Sequence, residues 1–114
     1  MDANQILDHC LARRGVVETF PFNPETLVLK VGGKMFLLMP LETQPLTISV
    51  KTDPEWSAEL REQHPQITGA YHMNKTHWNS VLCEGLKPDL ILKLIDHSYD
   101  LVVASLPKKI REDL

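Results

Sequence analysis

The sequence predicts an α+β fold: an antiparallel sheet of about five or six strands with helices packed on one face. Three observations point there. TLVLKV-GG-KMFLLM, residues 26–39, reads as a glycine-tipped hairpin. More β-forming segments lie on both sides of it, and amphipathic helical patterns open and close the chain. The strands are therefore grouped rather than alternating one-for-one with helices, which argues against a parallel sheet.

The first helix starts at Asp2, whose side chain can cap it, with Gln5 as capping-box partner. Ile6, Leu7, Cys10 and Leu11 recur at helical spacing. Arg13 and Arg14 suit the negative end of the helix, and Gly15 stops it. VVETFPF follows as a strand whose Pro21 marks an edge or a strand end, and Asn23-Pro24 reads as a turn.

In the hairpin, Gly32-Gly33 supplies the positive φ angles of a two-residue turn. That turn pairs Val31 with Lys34, Leu29 with Phe36 and Leu27 with Leu38, and these residues form the face expected against the helices. Val28, Lys30, Met35, Leu37 and Met39 are then expected on the opposite face, which is read as either half covered or a contact surface.

LTISVK (46–51) is a further strand. Thr52 or Asp53 caps a helix with Pro54 in its first turn, ending near His64 before Pro65. Trp56 and Leu60 form its inner stripe. Gln66–Thr68 reads as a short strand, residues 70–76 as a loop and residues 77–83 as a strand. Pro88 and Asp89 begin the longest helix, with Ile91, Leu94, Ile95, Ser98, Val102 and Leu106 on one face and Tyr99 beside them. Pro107 breaks it before a short charged helix. No repeat or linker divides residues 1–114, which read as one domain.

Several function classes are excluded by composition. No apolar run approaches the roughly 20 residues of a membrane span. The amino terminus lacks the pattern of a signal peptide, so a cytoplasmic location is expected. Two cysteines are too few for a disulfide framework. His72, His77 and Cys83 are the available metal-ligating set, but the odd histidine spacing sends the two rings to opposite strand faces. It matches no zinc pattern, and no metal or other cofactor is expected. No serine sits in a glycine elbow and no phosphate-cradling loop is present, so the protein is read as not an enzyme.

GAYHMNKTHWNSV (69–81) is the least ordinary stretch: two histidines, a lysine, an asparagine and a tryptophan without one acid. Asn74, Lys75 and His77 offer donors of the kind a phosphate accepts. Trp78 is expected first as a core anchor, and otherwise as a base-stacking ring. Lys30 and Lys34 flank the hairpin turn. The net charge of −3 argues against strong charge-driven nucleic-acid binding. A locally basic face remains compatible with it, since Asp53, Glu55, Glu59 and Glu62 gather on one helix.

The segments ETFPF (18–22), VGGKMF (31–36), VKTDPE (50–55), YHMNKTHWNSV (71–81) and HSYDLVVASLPKKIR (97–111) resemble the MmcQ/YjbR family of small bacterial proteins. The resemblance implies a fold similar to that of frataxin and CyaY. It also implies the family's label of double-wing DNA-binding protein. One wing would be the hairpin with Lys30 and Lys34, and the other contact the loop with Asn74, Lys75 and His77. Iron binding of the frataxin kind is not implied, because the first helix offers only Asp2 and Asp8 and ends in basic residues. The leading expectation is a weak, salt-sensitive DNA contact through Lys30, Lys34, Asn74, Lys75, His77 and Trp78. The alternative is a protein- or small-molecule-binding module using the Met35, Leu37 and Met39 face.

Overall fold

The computed structural model describes residues 1–70 and 73–114. The chain runs α1 (Ala3–Leu11), β1 (Val16–Thr19), β2 (Thr26–Val31), β3 (Lys34–Pro40), β4 (Thr47–Lys51), α2 (Pro54–Gln63), β5 (Ile67–Gly69), β6 (Trp78–Leu82), α3 (Pro88–Ser105) and α4 (Lys108–Glu112). The strands form one antiparallel sheet in the order β1-β2-β3-β4-β6-β5. This is the α+β architecture read from the sequence.

Local chemistry sets the element ends. Asp2 and Gln5 close the capping box of α1. Asp53 caps α2 by accepting from the Glu55 N–H, with Pro54 in the first turn. β1 lies at one edge of the sheet and stops before Pro21. The Asn23 side chain accepts from the Glu25 N–H and shapes the turn into β2.

The core lies between the sheet and the helices. Ile6 and Cys10 of α1 meet Ile91, Leu94, Ile95, Tyr99 and Val102 of α3 over the inner residues of the strands. All six of the residues assigned to the inner face of α3 are buried.

The hairpin departs from its expected register. Val31 pairs with Lys34 and Lys30 with Met35, but Leu29 then pairs with Leu37 and Leu27 with Met39. Phe36 is the extra residue of a β-bulge. The bulge turns Leu37 and Met39 inward, where they are 0 % and 1 % exposed. Leu38, expected inside, pairs instead with Val28 on the outward face. The proposed apolar contact surface of Met35, Leu37 and Met39 therefore does not form. Burying each of the two inward side chains contributes roughly 1.5–3 kcal/mol, so the core claims them.

A bulge interrupts the ladder on its far side as well, and Ser98 of α3 fills the gap. Its hydroxyl donates to the Phe36 carbonyl at 2.5 Å and accepts from the Lys51 N–H at 2.9 Å. The usual fate of a mid-helix serine, bonding back within its own helix, is replaced by a bridge between β3 and β4. One residue on, the Tyr99 ring packs edge-on against Phe36 with centroids 5.5 Å apart.

At the hairpin tip, Gly32 and Gly33 have φ of 58° and 82°. They differ in surroundings. A Cβ on Gly32 would sit 2.5 Å from Leu106 Cδ1 and 3.2 Å from Ile110 Cγ2, whereas one on Gly33 would meet nothing within 4 Å. The tip is thus seated on the corner between α3 and α4. Gly33→Ala is expected to cost about 1 kcal/mol for its left-handed backbone alone. Gly32→Ala adds overpacking and is expected to cost about 3 kcal/mol in total. Urea denaturation of the two variants checks the difference.

Candidate functional site

The strand directions bring the hairpin tip and the unusual loop to the same end of the sheet. Lys51 closes β4 opposite Trp78, which opens β6, and Gly69 closes β5 opposite Asn79. β3 begins at that same end with Lys34, and β4 lies between β3 and β6.

On the outward, helix-free face, Lys30 stands between Val17 and Met35. Lys51 and Trp78 stand opposite one another on that face. Lys34 is exposed at the tip and its Nζ reaches Ser105 Oγ at 3.4 Å. Lys75 lies in the loop with its stem alongside Gly69, where a glycine Cβ would be 3.5 Å from Lys75 Cβ.

Trp78 is not the core anchor expected of it. Strand alternation points Val81 and Asn79 inward, which leaves Trp78 half-buried on the other face. The inward anchor is Asn79, fully buried. Its Nδ2 donates to Thr52 Oγ1 at 2.6 Å and to Ser57 Oγ at 3.0 Å, and its Oδ1 accepts from Arg61 Nε at 2.7 Å. The Thr52 and Ser57 hydroxyls bond to each other. Arg61 also donates to the Lys75 and Trp78 carbonyls. Among the described residues no buried side-chain nitrogen or oxygen lacks a partner.

This junction fixes the loop's backbone. The Thr52 N–H donates to the His77 carbonyl at 2.7 Å. The Asn74 carbonyl accepts from His77 and Trp78, and its side-chain oxygen accepts from the Thr76 N–H at 3.0 Å. Asn74 and His77 therefore shape the loop first. Tyr71 and His72 lie outside the described residues, so the part of the metal reading that needs His72 does too. The other two members are apart: His77 sits before β6 and Cys83 beyond its far end. Burial pushes the Cys83 thiol up to about 11. It pushes Cys10 up to about 12, with Asp96 adding to the rise and Arg13 opposing it. Thiols held protonated in this way are poor metal ligands. Among the described residues no group of three His, Cys, Asp or Glu side chains is placed to hold a metal ion.

The acids gather on the helix side, beginning at Asp53 just beyond Lys51. A groove of about 910 Å³ between α2 and α3 is lined by Asp53, Glu55, Glu59, Asp89, Asp96 and Asp100. Part of that charge is met internally. Asp96 binds His9 and Arg13, each at 2.8 Å, and Arg13 reaches Asp100 at 2.9 Å. His97 packs edge-on to Trp56 with centroids 4.6 Å apart, and its Nε2 accepts from the Asp53 N–H at 3.1 Å. Burial lowers the His97 pKa, with Asp53 and Asp100 opposing and Lys93 reinforcing, so the ring is held in the neutral form that can accept.

The sequence reading did not assign Arg61, Asn79 or the α3 half of the acidic groove. Asp89, Asp96 and Asp100 fall on one helical face, a spacing that carries the signal for the groove. Arg61 and Asn79 carry none, because their partners come from three separate segments.

A six-stranded antiparallel sheet, helices on one face and a buried polar junction under the loop define an open-faced α+β domain. The chain belongs to the YjbR family, whose profile matches residues 11–101. It is 32 % identical over 114 residues to the uncharacterized protein YjbR of Escherichia coli (strain K12), covering 98 % of this chain and 96 % of that one. It is 41 % identical over 91 residues to the uncharacterized protein YbdF of Escherichia coli O157:H7, covering 79 % of this chain and 75 % of that one. A Deinococcus radiodurans protein, DR2400, has a crystal structure similar to this one, with a TM-score of 0.91 and 38 % identity over 96 % of this chain and 85 % of that one. A Pseudomonas syringae protein superposes with a TM-score of 0.74 at 29 % identity, over 89 % of this chain and 98 % of that one. The family read from the sequence segments is thus borne out. Among the described residues no helix is long and apolar enough to cross a membrane.

Asn79→Ala removes the hub of the junction and leaves the Arg61 Nε and two hydroxyls short of a partner. A loss of about 2–4 kcal/mol is expected from these buried groups, measured by urea denaturation. Asn79→Asp, which keeps the Arg61 contact, is expected to lose less.

Proposed function

We propose that the protein is a non-enzymatic binding domain that makes weak, salt-sensitive contacts to DNA phosphates. The contact surface is the end of the sheet at which the hairpin tip and the Trp78 loop both lie, on either side of β4. One observation carries this reading: Lys30, Lys34, Lys51 and Lys75 come from four different segments to one end of the sheet, Lys30 and Lys51 on its open face and Lys34 and Lys75 at its rim toward the helices. Ammonium groups gathered in this way can each neutralise a phosphate and release a counterion.

Other features fit the same role. Trp78 faces outward beside Lys51, where an indole adds apolar contact to sugar or base. Asn74 and His77 serve by setting the loop's shape, which places Lys75. The acids concentrate in the groove between α2 and α3, which begins at Asp53 just beyond Lys51 on the helix side, so Lys30 and Lys51 on the open face are the lysines turned away from them. The apolar-face alternative loses its support, because Leu37 and Met39 are buried under the helices.

The reading predicts that a labelled duplex binds at about 50 mM salt and is largely released at about 200 mM. The double variant Lys30→Ala/Lys75→Ala is expected to bind at least several-fold more weakly and to show a shallower salt dependence. Fluorescence anisotropy measures both. No binding at low salt, or unchanged binding by the double variant, contradicts the proposal.

A further inference from the structure

We infer that the short helix α4 is part of the same phosphate-binding surface, with Lys108, Lys109 and Arg111 extending it around the hairpin tip. This inference rests on the DNA reading above, and it assigns residues that neither the hairpin nor the Trp78 loop supplies.

The argument begins with glycine. Gly32 has no side chain at the point where the tip meets the helices, and the methyl groups of Leu106 and Ile110 fill that space. Leu106 is buried, whereas Ile110 remains 42 % exposed at the rim of the contact. Lys34 Nζ, on the strand leaving the tip, reaches Ser105 Oγ at the end of α3. The tip and the α3–α4 corner are therefore one packed unit. A ligand that touches Lys34 meets α4 as the neighbouring surface.

α4 is held from its other side too. The Arg14 guanidinium donates to the Leu114 carbonyl, and a Cβ on Gly15 would lie 2.7 Å from Leu114 Cδ2. The α1–β1 turn is itself anchored, since the Tyr99 hydroxyl donates to the Arg14 carbonyl at 2.6 Å. The helix thus has a fixed seat although it is only one turn and a half long.

Its chemistry is lopsided. α4 has no buried residue, and Lys108, Lys109 and Arg111 are all exposed. Among the described contacts, the one ion pair in this helix joins Lys108 to Glu112 at 3.9 Å, with both side chains mostly in water. Such a pair is worth little and yields readily to a phosphate. With Lys34 and Arg14, the segment gathers five cations, against Glu112 and Asp113. A helix with no fully buried residue that presents cations beside the hairpin tip is suited to contacting a polyanion.

The test compares wild type, Lys30→Ala/Lys75→Ala and Lys108→Gln/Lys109→Gln/Arg111→Gln in duplex titrations at several salt concentrations. The three substitutions in α4 touch exposed side chains, and thermal melting confirms that the fold persists. The inference predicts that the α4 variant binds at least tenfold more weakly than wild type at low salt. It also predicts that the slope of log K against log salt falls by about 2 to 3, at about 0.9 for each phosphate contact removed. If the α4 variant matches wild type in affinity and slope while Lys30→Ala/Lys75→Ala is weakened, α4 lies outside the surface and the DNA reading survives without it. If wild type fails to bind duplex at low salt, both fall together.

Discussion

The structure depends on one hydroxyl group. Ser98, at the centre of α3, stands in for the ladder bond that the bulge at Phe36 removes between β3 and β4. Without the bulge, strict alternation would put Leu37 and Met39 on the outer face and Leu38 inside. With it, two successive residues of β3 face the core, and an N–H and a C=O are left facing a helix instead of a strand. Buried backbone groups must find partners, and Ser98 supplies both a donor and an acceptor at the required place. Tyr99 then packs its ring edge-on against Phe36, while the Arg13 guanidinium lies 4.2 Å from the centre of the Tyr99 ring. Register, core composition and the docking of α3 are aspects of the same constraint.

That constraint also sets the tip of the hairpin. The bulge fixes β3 against α3 near its middle, and Gly32 fixes the tip against Leu106 at its end. Two points of attachment make the ribbon a rigid extension of the helix layer rather than a swinging arm. On the other side of β4, the Asn79 junction does the same for the loop. Thr52, Ser57, Arg61 and Asn79 exchange hydrogen bonds from three segments, and Arg61 holds the loop by its carbonyls. The amines proposed to meet phosphate are flexible side chains on two fixed supports. Pre-organised backbone leaves only side-chain entropy to be lost on binding.

Much of the fold was legible because its signals are local. Asp2 with Gln5, Asp53 with Pro54, the Gly32-Gly33 pair and Pro107 each mark a boundary through their own backbone chemistry. The stripe of α3 follows from a period of 3.6. The bulge was not legible, since KMFLLM alternates no differently from an ordinary strand. Ser98, 62 residues from Phe36, supplies the partner that lets the slipped register bury Leu37 and Met39. Trp78 was assigned to the core for its size, but its face is decided by Asn79, a polar residue that is buried because partners from α2 and the end of β4 await it. The seat of α4 against Gly32 likewise joins residues far apart in sequence. What the sequence hides, in each case, is a contact whose two halves are individually unremarkable.

The bridging role of Ser98 is tested most directly by hydrogen exchange at the backbone amide of Lys51. That amide ends a strand, where fraying would normally make exchange fast. The account predicts core-like protection at Lys51 in the wild type. In Ser98→Ala it predicts a selective acceleration of about tenfold or more, the scale of one lost buried hydrogen bond, with the Val50 and Ile48 amides much less affected. Fast exchange at Lys51 in the wild type, or protection unchanged by Ser98→Ala, would contradict it.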